Sequence, residues 1–173
     1  MTLVPPGANP ARAAFTLLEL LSVITIIALL AGIVLGVGRR AAESGKTARA
    51  KAELALLGAA LEDYRRTQGD FPRTGDGTQL LHALLGRRGP AADQVINGRA
   101  VIESARFTIA DEVLLDPWGQ AYVYVYKTTA PWSNPSYVLY SAGPDGRENP
   151  RLLAGGFTDT GAAENADNLQ ANH

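Results

Sequence analysis

The chain has no cysteine, which excludes a disulfide framework and a thiolate metal site. Something else has to stiffen its loops. Histidine is nearly as scarce: His82 and the terminal His173 are the two present, and no Ser or Asp stands in a nucleophile or phosphate-loop motif. No catalytic constellation can be assembled from what remains, so the protein is expected not to be an enzyme. An excess of one charge is missing too. Lys and Arg number 16 against 17 Asp and Glu, a net charge of -1, and this removes any global electrostatic case for nucleic acid. Of the 173 residues, the first ~40 read as leader and span, and the remainder suffices for one compact domain and not two.

What the chain does have is an almost unbroken apolar run at residues 15–37, FTLLELLSVITIIALLAGIVLGV, of the length needed to cross a bilayer as one helix. It holds a single charge, Glu19. A carboxylate there costs a few kcal/mol unless it is paired or snorkels to the interface. Ahead of it, MTLVPPGANPARAA carries three prolines and no helical period, which reads as a disordered leader. An ordinary secretory signal also begins polar and turns apolar, but this run is longer than a signal core and its flank has only Arg12 as a basic side chain. After the span come Arg39, Arg40, Lys46, Arg49 and Lys51. By the positive-inside rule alone, that excess places the C-terminal part in the cytoplasm.

The helical pattern continues past the span. Ala50, Leu54, Leu57, Leu61 and Tyr64 recur at steps of four and three, one apolar face for a globular partner, with Arg49, Lys51, Glu53, Glu62 and Arg66 on other faces. The helix is predicted to end at residues 67–69, where Gly69 and Pro72 cannot continue it. A short second helix follows, capped by Asp76 or Thr78, with Leu80, Leu81, Leu84 and Leu85 turned inward and His82 on its surface. Arg87-Arg88-Gly89-Pro90 reads as a turn with solvated charges. Asn97-Gly98, between two short apolar segments, signals a two-residue hairpin. Asp116-Pro117-Trp118-Gly119 is a turn in which Pro117 sets φ, Asp116 bonds the turn backbone and Gly119 relieves the reversal. Trp118 either buries that turn on the helix or offers an aromatic platform. Residues 121–127 and 137–141 alternate aromatic and β-branched side chains and read as an antiparallel pair, one face on the helix and the other partly wet, with tyrosine hydroxyls reaching solvent. The fold class is α+β.

Phe15-Thr16-Leu17-Leu18-Glu19 opening a long apolar helix resembles the processing site of type IV pilins and type II secretion pseudopilins. The segment Tyr64 to Gly69-Asp70-Phe71-Pro72, the Asp116-Pro117-Trp118-Gly119 turn with Tyr122, and the loop Ser141-Ala142-Gly143-Pro144-Asp145-Gly146 resemble the major, G-type pseudopilin in particular. The resemblance implies a pilin-like fold, a long N-terminal helix on a small antiparallel sheet. It also implies three regions: a cleaved leader at 1–14, a transmembrane and assembly helix at 15–38, and an amphipathic helix with a globular head at 39–173. In that family a prepilin peptidase cuts ahead of the Phe and methylates its new amine, and the Glu four residues on neutralises the amine in the fibre. Carried over, cleavage falls between Ala14 and Phe15, and Glu19 is the assembly carboxylate. The family usually has Gly where this chain has Ala14, and a more basic leader.

As a subunit of this kind, the chain would polymerise with copies of itself and with minor pseudopilins into a periplasmic pseudopilus. It would engage the inner-membrane assembly platform and membrane lipid, anchored in the inner membrane by a single pass with its head in the periplasm, and would bind no nucleic acid. The alternative is a pilin of a type IV surface filament. Finally, the 141–146 loop and Glu164-Asn165-Ala166-Asp167-Asn168 resemble the two regions that converge on calcium in the major pseudopilins. That implies calcium held by Asp145, Asp167 and Ser141, an oxygen set suited to a hard cation. The competing reading is a glycine-rich turn in which Asp145 bonds its own backbone. Residues 149–161 are an insertion relative to the family pattern.

Overall fold

Ala50, Leu54, Leu57, Leu61 and Tyr64 are all buried, and the head is organised by their need for cover. The structure, a computed structural model, describes residues 16–91, 93–127 and 130–171. Two compact units are present, Met1–Ala41 and Ala42–His173. A single helix, α1 (Leu17–Gln68), runs through both, continuous past Gly32, Gly36 and Gly38. In the first unit the described side chains of residues 16–33 are all exposed. This is the one described helix long and apolar enough to cross a membrane.

In the second unit α1 stops where Gly69 takes a φ of +87°, a conformation that costs a residue without Cβ nothing. A second helix, α2 (Gly77–Leu84), starts with Asp76 as its cap, the carboxylate accepting the Gln79 N–H at 2.9 Å. Leu80, Leu81 and Leu84 turn inward onto the α1 stripe. Seven short strands and two 3-10 turns make up the sheet and its flanking hairpins. After the 3-10 turn Ser104–Arg106 come β1 (Thr108–Ala110) and β2 (Val113–Leu115), a hairpin whose turn residues Asp111 and Glu112 both have positive φ. That is the twist a two-residue connection needs. Next, β3 (Val123–Val125) and β4 (Val138–Ser141) pair antiparallel, Val123 opposite Tyr140 and Val125 opposite Val138. Within residues 149–161, β5 (Leu152–Leu153) and β6 (Phe157–Thr158) form a second hairpin. A 3-10 turn at Ala163–Asn165 precedes β7 (Leu169–Gln170), which completes a three-stranded sheet of order β3-β4-β7.

Four expectations are corrected by the packing. The segment around Asn97-Gly98 is not a hairpin. It runs back along the end of α2, with Gly98 N–H on Gly86 C=O at 2.7 Å and Val101 N–H on Leu84 C=O at 2.8 Å, because α2 leaves carbonyls open at its C-terminus. Arg88 is not solvated: it is 8% exposed and its carbonyl accepts the Tyr64 hydroxyl. Glu53 does not face water either. It is 3% exposed, held by Arg49 at 2.7 Å and by the Tyr122 hydroxyl at 2.7 Å. The sheet has no wet face at β4, all four residues of which are buried. The tyrosine hydroxyls accordingly end on protein acceptors: Tyr124 on Pro72 C=O, Tyr126 on Asp70 and Tyr140 on Glu148.

Burying a phenol raises its pKa, since the charged phenolate is the form that loses solvation. Burial pushes Tyr64 and Tyr137 from 10.0 up to about 12, and Tyr122, Tyr124 and Tyr140 are raised further, Tyr122 and Tyr140 also by the carboxylates that they bond. A group with a raised folded pKa holds its proton longer folded than unfolded, so stability is lost as pH rises through that window. The detergent-solubilised full-length chain should keep its melting temperature up to about pH 10 and lose it steeply between about pH 10 and 12. Tyrosinate absorbance should rise together with loss of near-ultraviolet ellipticity. Tyrosines that ionise near pH 10 in an intact fold would contradict this packing.

Candidate functional site

Two loops meet at one buried carboxylate. Pro117 follows Asp116 in the connection from β2, and the Asp116 side chain folds back over the turn. Its Oδ1 accepts the Trp118 N–H at 3.0 Å and the Gln120 N–H at 2.9 Å. This is the backbone-binding role read from the motif. The sequence did not show what the other oxygen does: Asp116 Oδ2 accepts the Ser141 hydroxyl at 2.5 Å. Asp116 is 2% exposed and Ser141 is 0% exposed, so the bond is made out of water, where a charge-assisted hydrogen bond is strong and its absence costly. Ser141 Oγ in turn accepts the Gly143 N–H at 3.1 Å. One carboxylate therefore fixes both the Asp-Pro-Trp-Gly turn and the start of the glycine-rich loop.

Trp118 is half-buried and does not bury the turn. It ties the turn to α1 with a hydrogen bond, its indole Nε1–H donating to Glu43 at 2.8 Å. That bond holds the Glu43 carboxyl below its ordinary value, ahead of a smaller contribution from Lys46.

The glycine-rich loop then lies against the C-terminal segment. Gly143 has a φ of +73°, and a Cβ there would collide with the Asp167 carbonyl; only glycine allows this approach. Asp145 N–H donates to Asp167 Oδ2 at 3.2 Å. Asp145 Oδ1 accepts the Arg147 N–H at 2.8 Å, a bond within its own turn. Asn165 braces the approach, accepting the Asn149 N–H and donating to the carbonyls of Asn149 and Asp159. These three bonds close the 149–161 segment at its base and return the chain to Asp167. Next to it, Asn168 Oδ1 is buried with no hydrogen-bond partner among the described residues. Those residues contain no group of three or more His, Cys, Asp or Glu that could hold a metal. A cation here would have to take ligands beyond the two carboxylates from carbonyls and water. His82 is half-buried on α2, with Nε2 3.7 Å from Glu112.

At the other end, Ala14 and Phe15 lie outside the described residues. Glu19 sits in the first turn of α1, its carboxylate accepting from both the N–H and the hydroxyl of Thr16 at 2.9 Å, while Thr16 Oγ1 accepts the Glu19 N–H at 3.2 Å. This reciprocal pair is a capping box.

A family model for Type II secretion system (T2SS), protein G, matches residues 39–152, and one for the prokaryotic N-terminal methylation motif matches residues 9–35. The chain belongs to the type II secretion system protein G family. It is similar to the type II secretion system core protein G of Escherichia coli (strain K12), at 31% identity over 80% of this chain and 86% of that protein. It is also similar to the core protein G of Pseudomonas aeruginosa, at 28% identity over 79% of this chain and 87% of that protein. No solved structure matches significantly.

The protein G match spans the Asp116 turn and the 141–146 loop and stops at residue 152; the methylation motif spans Ala14, Phe15 and Glu19. Of the two functions left open by the N-terminal motif, pseudopilin of type II secretion is therefore the one that holds. The exposed apolar helix marks the N-terminal segment of this protein G member as its membrane anchor.

Replacing Asp116 with Ala should remove the acceptor of the Trp118 and Gln120 N–H groups and leave the buried Ser141 hydroxyl without its partner. A loss on the order of 3 kcal/mol is expected, with Ser141→Ala smaller because the carboxylate keeps its two backbone donors. Urea unfolding of both variants measures it. Equal, near-zero losses would show that the two loops do not depend on this bond.

Proposed function

We propose that this protein G member is a non-catalytic structural subunit that polymerises, with copies of itself and with minor pseudopilins, into a periplasmic pseudopilus. In this reading it starts as a single-pass protein of the inner membrane with its head in the periplasm. Family membership outweighs the positive charge that follows the span. A prepilin peptidase cuts between Ala14 and Phe15 and methylates the Phe15 amine, and the assembly platform then draws the subunit out of the lipid. The observation that carries the reading is the α1 surface from Leu17 to Ile33: its large apolar side chains are exposed, from 46% at Val23 to 83% at Leu17. A helix apolar all round is stable only in lipid or among other apolar helices. Both environments are supplied by a cycle of anchoring and polymerisation.

Glu19 acts in this scheme by exchanging partners. In the isolated chain its carboxylate caps its own helix through Thr16. In the fibre it would pair with the methylated amine of a neighbouring subunit, a gain large in an apolar surrounding because an uncompensated charge there is costly. Glu19→Ala should leave the protein in the membrane fraction but abolish fibres seen by electron microscopy. Glu19→Asp should restore little, being one methylene short. Normal fibres from Glu19→Ala would remove this role, and an intact mass that includes the leader would remove the processing step.

We also propose that the loop pair takes calcium, with Asp145 and Asp167 as its carboxylate arms. Support comes from the closeness of Gly143 to Asp167 and of Asp145 to Asp167, two hard oxygen donors. The Ser141 side chain does not fit the ligand set, because its hydroxyl is already engaged by Asp116 and Gly143; its part is to hold the loop. Bound calcium would supply charge that draws the two loops together. Ligand binding to the folded state alone adds RT ln(1 + [L]/Kd), about 2.7 kcal/mol at a hundredfold excess over Kd. The full-length chain in detergent should therefore melt higher in calcium than in chelator, and Asp145→Ala or Asp167→Ala should abolish the difference. Superimposable curves for the parent chain would leave the loop an ordinary turn.

A further inference from the structure

Asp145 lies just ahead of residues 149–161 and Asp167 just after them, so the two carboxylates assigned to calcium stand at the two ends of one excursion of the chain. Asn165, 7% exposed, joins those ends. An asparagine amide can accept two hydrogen bonds and donate two, and this one does both. Its Oδ1 accepts the Asn149 N–H at 2.8 Å and the Asn168 amide at 3.0 Å, and its Nδ2 donates to the carbonyls of Asn149 at 3.3 Å and Asp159 at 2.8 Å. One buried side chain therefore ties the entry of the excursion, its exit and the neighbour of Asp167. With both lone pairs of Oδ1 in use, Asn165 is not itself free to be a ligand.

The path from the carboxylates to Asn165 is short and pinned on both sides. On the entry side Asp145 Oδ1 accepts the Arg147 N–H at 2.8 Å, and Glu148 accepts the Tyr140 hydroxyl at 2.7 Å. On the exit side Asp167 accepts the Asp145 N–H at 3.2 Å, and its carbonyl fills the space that a Cβ on Gly143 would take. The bond to Asn165 also fixes the Asn168 amide, leaving its Oδ1 buried and without a donor among the described residues. An oxygen in that state, next in sequence to Asp167, calls for a cation or a water. While these bonds hold, the ends of the excursion cannot part without Asp145 and Asp167 parting too. At the far end the β5-β6 tip is braced independently: the N–H groups of Ser133 and Asn134 donate to Gly155 C=O at 2.9 and 3.0 Å, and a Cβ on Gly156 would collide with the Trp132 indole.

We propose that calcium at Asp145 and Asp167 is coupled to the order of residues 149–161 through Asn165, which serves as a positioning residue for the cation. The proposal rests on the calcium reading above. Coupling of this kind is reciprocal. Calcium, by drawing the carboxylates together, holds the excursion closed at its base, and a closed base presents the carboxylates already placed for the cation. Removing a group that orients metal ligands lowers metal affinity about 10- to 100-fold.

Hydrogen exchange read by mass spectrometry on the full-length chain in detergent, in calcium and in chelator, together with calorimetric titration of calcium, tests the coupling. Calcium should slow exchange at residues 149–161 by a larger factor than in α2. Asn165→Ala should raise the calcium Kd about 10- to 100-fold and leave exchange at 149–161 fast in both buffers. Gly156→Val, which forces the tip off Trp132 and alters neither the base nor the carboxylates, should raise Kd in the same direction by less, and it tests the coupling even if Asn165→Ala does not fold. A parent chain that binds no calcium overturns the calcium reading and the coupling together. Calcium binding that leaves exchange at 149–161 unchanged, or slows it no more than in α2, overturns the coupling alone, as does a Kd unchanged in both variants. A Kd raised by Gly156→Val but not by Asn165→Ala overturns the part given to Asn165.

Discussion

Burial of one face of α1 is the constraint from which the head follows. Ala50, Leu54, Leu57, Leu61 and Tyr64 occupy a single stripe, and a stripe of that width is unstable in water without cover. The cover comes from the inward leucines of α2, Phe71 and Phe107, Leu114 of β2, and the tyrosines and Leu139 of the β3-β4 pair. Because the sheet is small and β4 is buried on both faces, little water reaches the interior. Every polar group carried in with the aromatic rings then needs a protein partner, since burying it unpaired costs far more than the bond returns. That is why Glu53, a charged residue on a helix, can sit beneath Tyr122, and why Pro72 and Asp70, in the loop after α1, become acceptors for Tyr124 and Tyr126.

The loops above this core obey the same rule without disulfides. Asp116 gathers two backbone donors and the Ser141 hydroxyl, doing for two loops what a crosslink does in cysteine-containing domains. From that point outward, order is passed along by close approaches: Gly143 on Asp167, Asn165 on Asn149, Asn134 on the tip of the β5-β6 hairpin. A head built this way can hold an excursion of a dozen or so residues, because loop closure costs only slowly more with length, provided that the base is pinned. Asn165 pins it. The membrane-apolar half of α1 stands in contrast, since no described part of the chain covers it, and its stabilisation has to come from lipid or from other subunits.

Periodicity and local chemistry made much of this legible. The 3.6-residue stripe, the stop at Gly69, the Asp76 cap, the Asp116 turn and the alternation within β3 and β4 are local patterns, each decided by residues within a turn or two of each other. So is the N-terminal motif, whose capping box of Thr16 and Glu19 adds a local role to the assembly role implied by the resemblance. The Asn97-Gly98 signal was equally local and misled, because the open carbonyls at the end of α2 offered that segment a better set of partners than a hairpin ladder would.

The amino-acid sequence by itself determined the two helices, the β3 and β4 strands and that the first half of α1 belongs in an apolar solvent, because these depend on spacing and composition along the chain; β1, β2, β5, β6 and β7 are too short to leave such a pattern and were set by the packing. Only the tertiary structure decided the fate of the polar groups: Glu53 and Arg88 inward, the tyrosine hydroxyls onto protein, Asp116 onto Ser141, Asp145 beside Asp167. The reason is that a hydrogen-bond partner is chosen by distance in space. Asp116 and Ser141 are separated by 25 positions in the chain, and Glu53 and Tyr122 by 69, and no pattern of nearest neighbours carries that information.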